Sequence, residues 1–188
     1  AEPGTYTLRF SEGKRTYSYN YVIAKREEGS KERASFTTAD MVYLIMPDRF
    51  ANGDVTNDNS DDTREKVDRS NPGRRHGGDL RGIMNHLDYI ADLGATAVWC
   101  TPLLLDDEDG ASYHGYSCSD YYRIDPRYGT NELFREYVEE CHNHGLKVIM
   151  DIVPNHSSTT HWWYDDQPFT DWTHQWDSYT QSNWTFST

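Results

Sequence analysis

Three short apolar runs, each ending in polar residues and separated by helical patterns, constrain this chain more than any other feature. They are MVYLIMP (Met41 to Pro47), TAVWCTP (Thr96 to Pro102) and KVIMDIV (Lys147 to Val153). Runs this short and continuously apolar match strands covered on both faces. Between the first two, DLRGIMNHLDYIADLG sets Leu80, Ile83, Leu87 and Ile90 at helical spacing and stops at Gly94. Between the last two, TNELFREYVEECHNHG has Thr130 as N-cap, Leu133, Phe134, Tyr137, Val138 and Cys141 on one face, and Gly145 as stop. The alternation predicts an α/β fold on a parallel sheet, either open and doubly wound or closed into a barrel, and periodicity does not choose between them. Ligands in both gather at the C-terminal ends of the strands, so Asp48, Arg49, Thr101 and Asp151 to His156 share one functional side.

The flanks differ from this middle. Tyr6 to Ala24 alternates and is rich in Tyr and Thr around the turn EGK, which predicts a β-hairpin; the charged KREEGSKERAS then resembles a linker. After Ser157 the periodicity is lost in a segment holding five of the six tryptophans. With 26% charged and 36% apolar residues the chain has material for a core. A net charge of -13 without a basic cluster argues against a nucleic-acid partner and leaves a neutral or cationic ligand. No apolar run approaches the roughly 18 residues of a membrane span. Three cysteines cannot form a complete disulfide framework, and Cys100 and Cys141 fall on apolar faces expected to bury inert thiols.

Several polar stretches carry chemistry. FANGDVTNDNSDD (Phe50 to Asp62) is dense in oxygen side chains, suiting either a hard cation such as calcium or a set of Asx turns. In HGGDLRG, Asp79 as a helix N-cap is sufficient explanation, and the glycine spacing fits no phosphate loop. HNH (His142 to His144) ends a helix on the side away from the strand C-termini, which favours helix-end solvation over zinc. SYHGYSCSDYY (Ser112 to Tyr122) combines aromatic faces with short polar groups, the chemistry of a neutral sugar site or of tyrosine packing. DIVPNH, Asp151 to His156, puts a carboxylate, an amide and an imidazole where the third strand stops. NHS at Asn155 and NWT at Asn183 are formal glycosylation sequons.

VYLIMPDRFANGD, HGGDLRGIMNHLDYIADLGATAVWCTPL, SYHGYSCSDYYRIDPRYGT and GLKVIMDIVPNHSS together resemble the α-amylase family of glycoside hydrolases, family 13, over about two thirds of the chain. The opening motif and the β-rich segment before it resemble the neopullulanase, cyclomaltodextrinase and maltogenic amylase branch. That resemblance implies a partial TIM (β/α)8 barrel, strands 1 to 3, preceded by the tail of a β-sandwich. It divides the chain into 1–33 (sandwich end and linker), 34–156 (barrel) and 157–188 (the loop domain after strand 3). It implies that Asp151 supports the catalytic site, that His156 bonds the sugar at the cleavage point, and that Tyr116, with His114 beside it, stacks on that sugar. It further implies a calcium site from Asn52, Asp54, Asn57, Asp58, Gly77 and Asp79, with Asn155 as a calcium ligand in many relatives.

The family's nucleophilic aspartate, general-acid glutamate and transition-state-stabilising aspartate follow strands four, five and seven, and no G-x-R-x-D motif occurs here. Retaining cleavage needs two carboxyl groups about 5 to 5.5 Å apart. The expectation is therefore an N-terminal piece, inactive alone, of an enzyme cleaving α-1,4 bonds, with α-1,6 bonds as a second candidate linkage, of starch, pullulan or cyclodextrins. Its partners would be an α-glucan and the remainder of the parent chain, with a homodimer of the parent and a periplasmic or secreted location favoured over a cytoplasmic one. A glucanotransferase and a non-catalytic glucan-binding relative stay open as alternatives. An incomplete sheet also predicts exposed edges and apolar faces.

Overall fold

The computed structural model describes residues 2–33, 35–173 and 177–178. The chain divides into two compact units, Ala1–Thr37 and Thr38–Thr188. The first contains the antiparallel hairpin of β1 (Gly4–Glu12) and β2 (Arg15–Ile23). Its two-residue turn starts at Gly13, whose φ of 57° lies in the left-handed region that glycine enters without strain. Because side chains alternate, Tyr6–Tyr21, Leu8–Tyr19 and Phe10–Tyr17 pair on one face, while Thr5, Thr7, Arg9 and Ser11 occupy the other.

The second unit is built on a parallel sheet in the order β3 (Val42–Ile45), β4 (Ala97–Cys100), β7 (Lys147–Met150). Register aligns Ile45 with Cys100 and Cys100 with Met150, so the residues after each strand emerge at one edge of the sheet. The strands are shorter than the apolar runs. Pro47, without an amide hydrogen, ends the ladder and opens the short helix α1 (Pro47–Phe50). One sheet face is packed and the other is not: Val98 is buried, whereas Leu44 and Trp99, neighbours in register, are 57% and 37% exposed.

The helix expected from Leu80 to Gly94 is two helices, α2 (Leu80–Met84) and α3 (Leu87–Asp92). The His86 ring Nδ1 bonds Gly82 O at 2.7 Å, taking the carbonyl that its own backbone amide would use in a continuous helix; that amide turns to Ile83 O instead. The apolar spacing survives the break, and Leu80, Ile83, Leu87 and Ile90 are all buried. α4 (Asn131–Asn143) forms as its pattern predicts: Thr130 accepts from the Leu133 amide at 3.1 Å, and Tyr137 and Cys141 join the core.

Between β4 and α4 the chain makes a hairpin the alternation did not predict, β5 (Leu104–Leu105) against β6 (Asp120–Ile124). The loop it encloses contains a 3-10 turn at Ser112–His114. A last short helix, α5 (Trp162–Asp165), follows β7. Trp163 within it stacks on Tyr121, with ring centroids 5.4 Å apart. Trp176, Trp184 and the Asn183 sequon lie outside the described residues.

An ionic cluster is buried beside this core. Arg127 reaches Asp125 through Nε at 2.9 Å and Nη2 at 2.7 Å, and Arg75 lies 3.7 Å from the same carboxylate and 4.5 Å above the Tyr128 ring. Burial pushes the Asp125 carboxyl up, but the Arg75 and Arg127 guanidiniums outweigh it and hold it below the usual range. All three cysteines are free and buried, and desolvation pushes the Cys100 and Cys141 thiols up to about 12, so they are inert as expected. His144 caps α4 and faces Asp88 at 3.3 Å, in keeping with its helix-end role.

Candidate functional site

Asp151 follows β7 directly, so the strand sets its backbone and the sheet edge sets its direction. Its Oδ2 accepts from Tyr116 O–H at 3.2 Å and from Trp99 Nε1–H at 3.1 Å. Tyr116 is the hub of the cluster. Its amide donates to His114 Nδ1 at 2.9 Å, and its carbonyl accepts from His156 Nε2–H at 2.9 Å. The structure therefore brings His114, Tyr116, Asp151 and His156 together, although they lie up to 42 positions apart along the chain.

These bonds set the chemistry of each group. Since His114 Nδ1 accepts, its neutral ring carries the proton on Nε2. Desolvation lowers the His114 pKa against the raising effect of Glu65 and Glu108, which favours that neutral form. Desolvation, with Asp151 adding its charge, raises the Tyr116 phenol, so the hydroxyl remains a donor. As a residue 40% exposed, Tyr116 offers a flat apolar face beside a hydrogen-bonding edge. A cleft of about 420 Å³ opens beside His156, lined also by Asn155, Ser157, Trp163, Tyr164 and Trp172. Aromatic faces among short polar groups suit a polyol with apolar C–H faces better than a charged ligand.

Supporting residues emerge that the sequence reasoning passed over. Trp99 looked like core within an apolar strand, but its indole lies on the open face and holds Asp151. The Tyr121 hydroxyl donates to Val153 O at 2.9 Å and His156 O at 2.6 Å, pinning the DIVPNH loop. Asp106, almost fully buried, accepts from the Ser117 amide at 3.0 Å, next to Tyr116. Only the aromatic density of the Ser112–Tyr122 stretch hinted at such a role. Asp48 and Arg49, on the expected side, are structural: Asp48 accepts from the amides of His76 and Gly77, and Arg49 lies 4.0 Å above the Tyr113 ring.

The proposed calcium residues separate into two groups. Asn52 Nδ2 approaches Asp58 Oδ1 at 2.5 Å, Gly77 (φ 86°) passes so close that a Cβ would strike Asp58, and Asn57 Oδ1 is buried without a hydrogen-bond partner. Asp54 and Asp79 are engaged otherwise. Asp54 Oδ1 accepts from the Thr56 amide and hydroxyl, an Asx turn that lowers its pKa. Asp79 caps α2 through Gly82 N at 2.6 Å and also accepts from Gly53 N and Asp54 N. Asn155 lines the cleft beside His156 rather than this loop. Among the described residues no three His, Cys, Asp or Glu side chains converge as a metal cage.

A three-stranded parallel sheet packed against helices, with aromatic and carboxylate side chains gathered beyond its strand C-termini, is an α/β architecture that binds ligands on that side. The family model described as the catalytic domain of alpha amylase matches residues 44–186, and the chain belongs to the alpha-amylase family. A cyclomaltodextrinase of Thermoanaerobacter pseudethanolicus is 42% identical over 121 residues, 64% of this chain and 20% of that protein. Neopullulanase 2 of Thermoactinomyces vulgaris is 40% identical over 118 residues, covering 62% of this chain and 20% of its own length. The crystal structure of an Anoxybacillus alpha-amylase superposes with a TM-score of 0.67 at 39% identity, over 77% of this chain and 30% of that one. The chain thus spans about a fifth of the length of these curated relatives.

Proposed function

We propose that this chain supplies the sugar-holding wall of a retaining α-glucan hydrolase acting on the α-1,4, and in some substrates α-1,6, bonds of starch, pullulan or cyclodextrins. The observation that carries the reading is the bonded set of Tyr116, His114, Asp151 and His156 at the strand ends. Tyr116 stacks on the glucose ring, His156 and His114 bond its hydroxyls, and Asp151 orients Tyr116. None of the four is placed to act as nucleophile or general acid. Those two carboxyl groups come from the remainder of the parent chain, and the 188 residues alone cleave nothing. The β1–β2 ribbon belongs in this reading to a β-sandwich ahead of the barrel.

Calcium fits part of its expected site. The orphaned Asn57 Oδ1 and the Asp58 carboxylate supply hard oxygen donors, which such a cation requires, and Gly77 leaves the space beside Asp58 free of a side chain. Bound there, it would tie the loop after α1 to the segment before α2.

Titration of the chain with maltotriose, followed by tryptophan fluorescence, tests the site. Tyr116→Phe and Asp151→Asn are expected to weaken binding by about tenfold or more with the fold intact. Equal binding in all three proteins refutes the assignment, and reproducible release of reducing sugar by the purified chain refutes the division of roles.

A further inference from the structure

The loop that carries His114 and Tyr116 is gripped by a residue far from it in sequence. Glu65, whose side chain is 1% exposed, accepts from the Ala111 amide at 3.2 Å and the Ser112 amide at 2.7 Å. Across the same peptide segment, Arg75 donates to Ser112 O at 3.2 Å. Arg127 donates to Glu65 O at 2.9 Å and Asp106 O at 2.6 Å, and Arg74 pairs with the Glu65 carboxylate at 3.5 Å. The grip falls on a strained point. Ala111 has φ 59° and ψ 17°, and among the described residues it is the one non-glycine with positive φ. An L-residue is disfavoured there and persists where its surroundings enforce it.

Two adjacent amides aimed at one carboxylate are such an enforcement, since hydrogen bonds to an ionised acceptor are the strong ones. The left-handed Ala111 starts the 3-10 turn of Ser112–His114, that turn places His114, and His114 receives the Tyr116 amide. No regular ladder holds this stretch, so its course depends on side-chain anchors. We propose that Glu65 is a positioning residue for substrate binding: it holds Ala111 and Ser112 so that Tyr116 meets Asp151. This role rests on the reading of the Tyr116 cluster as a sugar site.

The test measures maltotriose affinity of the chain, its Tyr116→Phe and Glu65→Gln variants, and the double variant. Glu65→Gln keeps the volume but turns one acceptor into a donor facing an amide, and it is expected to weaken binding about tenfold with a cooperative thermal transition retained. If Glu65 works through Tyr116, the double variant binds no more weakly than the weaker single one. Adding Ala111→Gly to Glu65→Gln restores part of the affinity, because glycine reaches the left-handed region without enforcement. Multiplying effects, or wild-type affinity in Glu65→Gln, overturn the role. Binding indifferent to Tyr116→Phe sinks the sugar-site reading and this role with it; binding weakened by Tyr116→Phe but kept in Glu65→Gln sinks the role alone. Should Glu65→Gln not fold, amide exchange in the natural chain decides: Ala111 and Ser112 are expected to be protected and to slow further with maltotriose, and rapid exchange in both states overturns the proposal.

Discussion

Asp79→Ala separates a capping carboxylate from a calcium ligand. The Asp79 side chain is fully buried, and its two oxygens take three backbone amides: Gly82 at 2.6 Å, Asp54 at 2.9 Å and Gly53 at 3.2 Å. Loss of the N-cap bond on α2 costs about 1 kcal/mol. The other two amides belong to the loop before it, and each bond from an amide to a buried carboxylate contributes about 1.5 to 3 kcal/mol. Allowing for the weaker geometry at Gly53 and for relaxation of the loop toward water, the total is about 3 to 5 kcal/mol, a large share of a typical domain's stability. Thermal unfolding followed by circular dichroism would then fall by about 10 °C. Because the bonds are internal, the loss should be the same with calcium and with a chelator. A loss below about 1 kcal/mol refutes the three-amide anchor. A natural chain that drops to the variant's stability when calcium is removed refutes the capping role in favour of a metal ligand.

Gly82 inverts the usual expectation for a glycine in a helix. Glycine to alanine in a helix normally stabilises by about 1 kcal/mol, but here the added Cβ collides with Ala51 O, and Gly82→Ala should destabilise by more than about 2 kcal/mol in urea unfolding. Burial pushes Asp106 from 3.8 up to about 7, with Asp125 and Glu108 adding repulsion against its bonds from the Ser117 and Glu108 amides, and His114 lies 3.8 Å away. The folded form then holds a proton that the unfolded chain releases, so stability contributed by this group is complete below pH about 4 and lost as pH rises toward about 7. Asp106→Asn should flatten the slope of unfolding free energy across that window, by up to about 1 kcal/mol per pH unit; an unchanged slope would show that another group titrates.

Much of the fold is legible in sequence because it is periodic. Apolar runs that end at prolines and polar residues located β3, β4 and β7, and Thr130 with Gly145 marked both ends of α4. The break at Asn85–His86 was not legible, because it depends on a ring nitrogen competing for one carbonyl. Nor was the β5–β6 hairpin, whose first strand has two residues and too few alternations to register.

For the site, the sequence by itself marked the side and, through the family resemblance, the candidates. Asp151 and His156 follow the third apolar strand, and in a parallel sheet all such ends face one way, whereas His114 and Tyr116 stand in the loop between β5 and β6 and were singled out by that resemblance. Tertiary structure decided how they are held. That Asp151 is shared by Tyr116 and Trp99, that His156 bonds the Tyr116 carbonyl, and that Glu65 clamps Ala111 and Ser112 are contacts across 35, 52, 40 and up to 47 positions. Local propensity carries no trace of them, since a buried carboxylate in a polar loop reads the same whether it caps a helix, ligates a cation or anchors another loop. Only the folded chain shows which amides it faces.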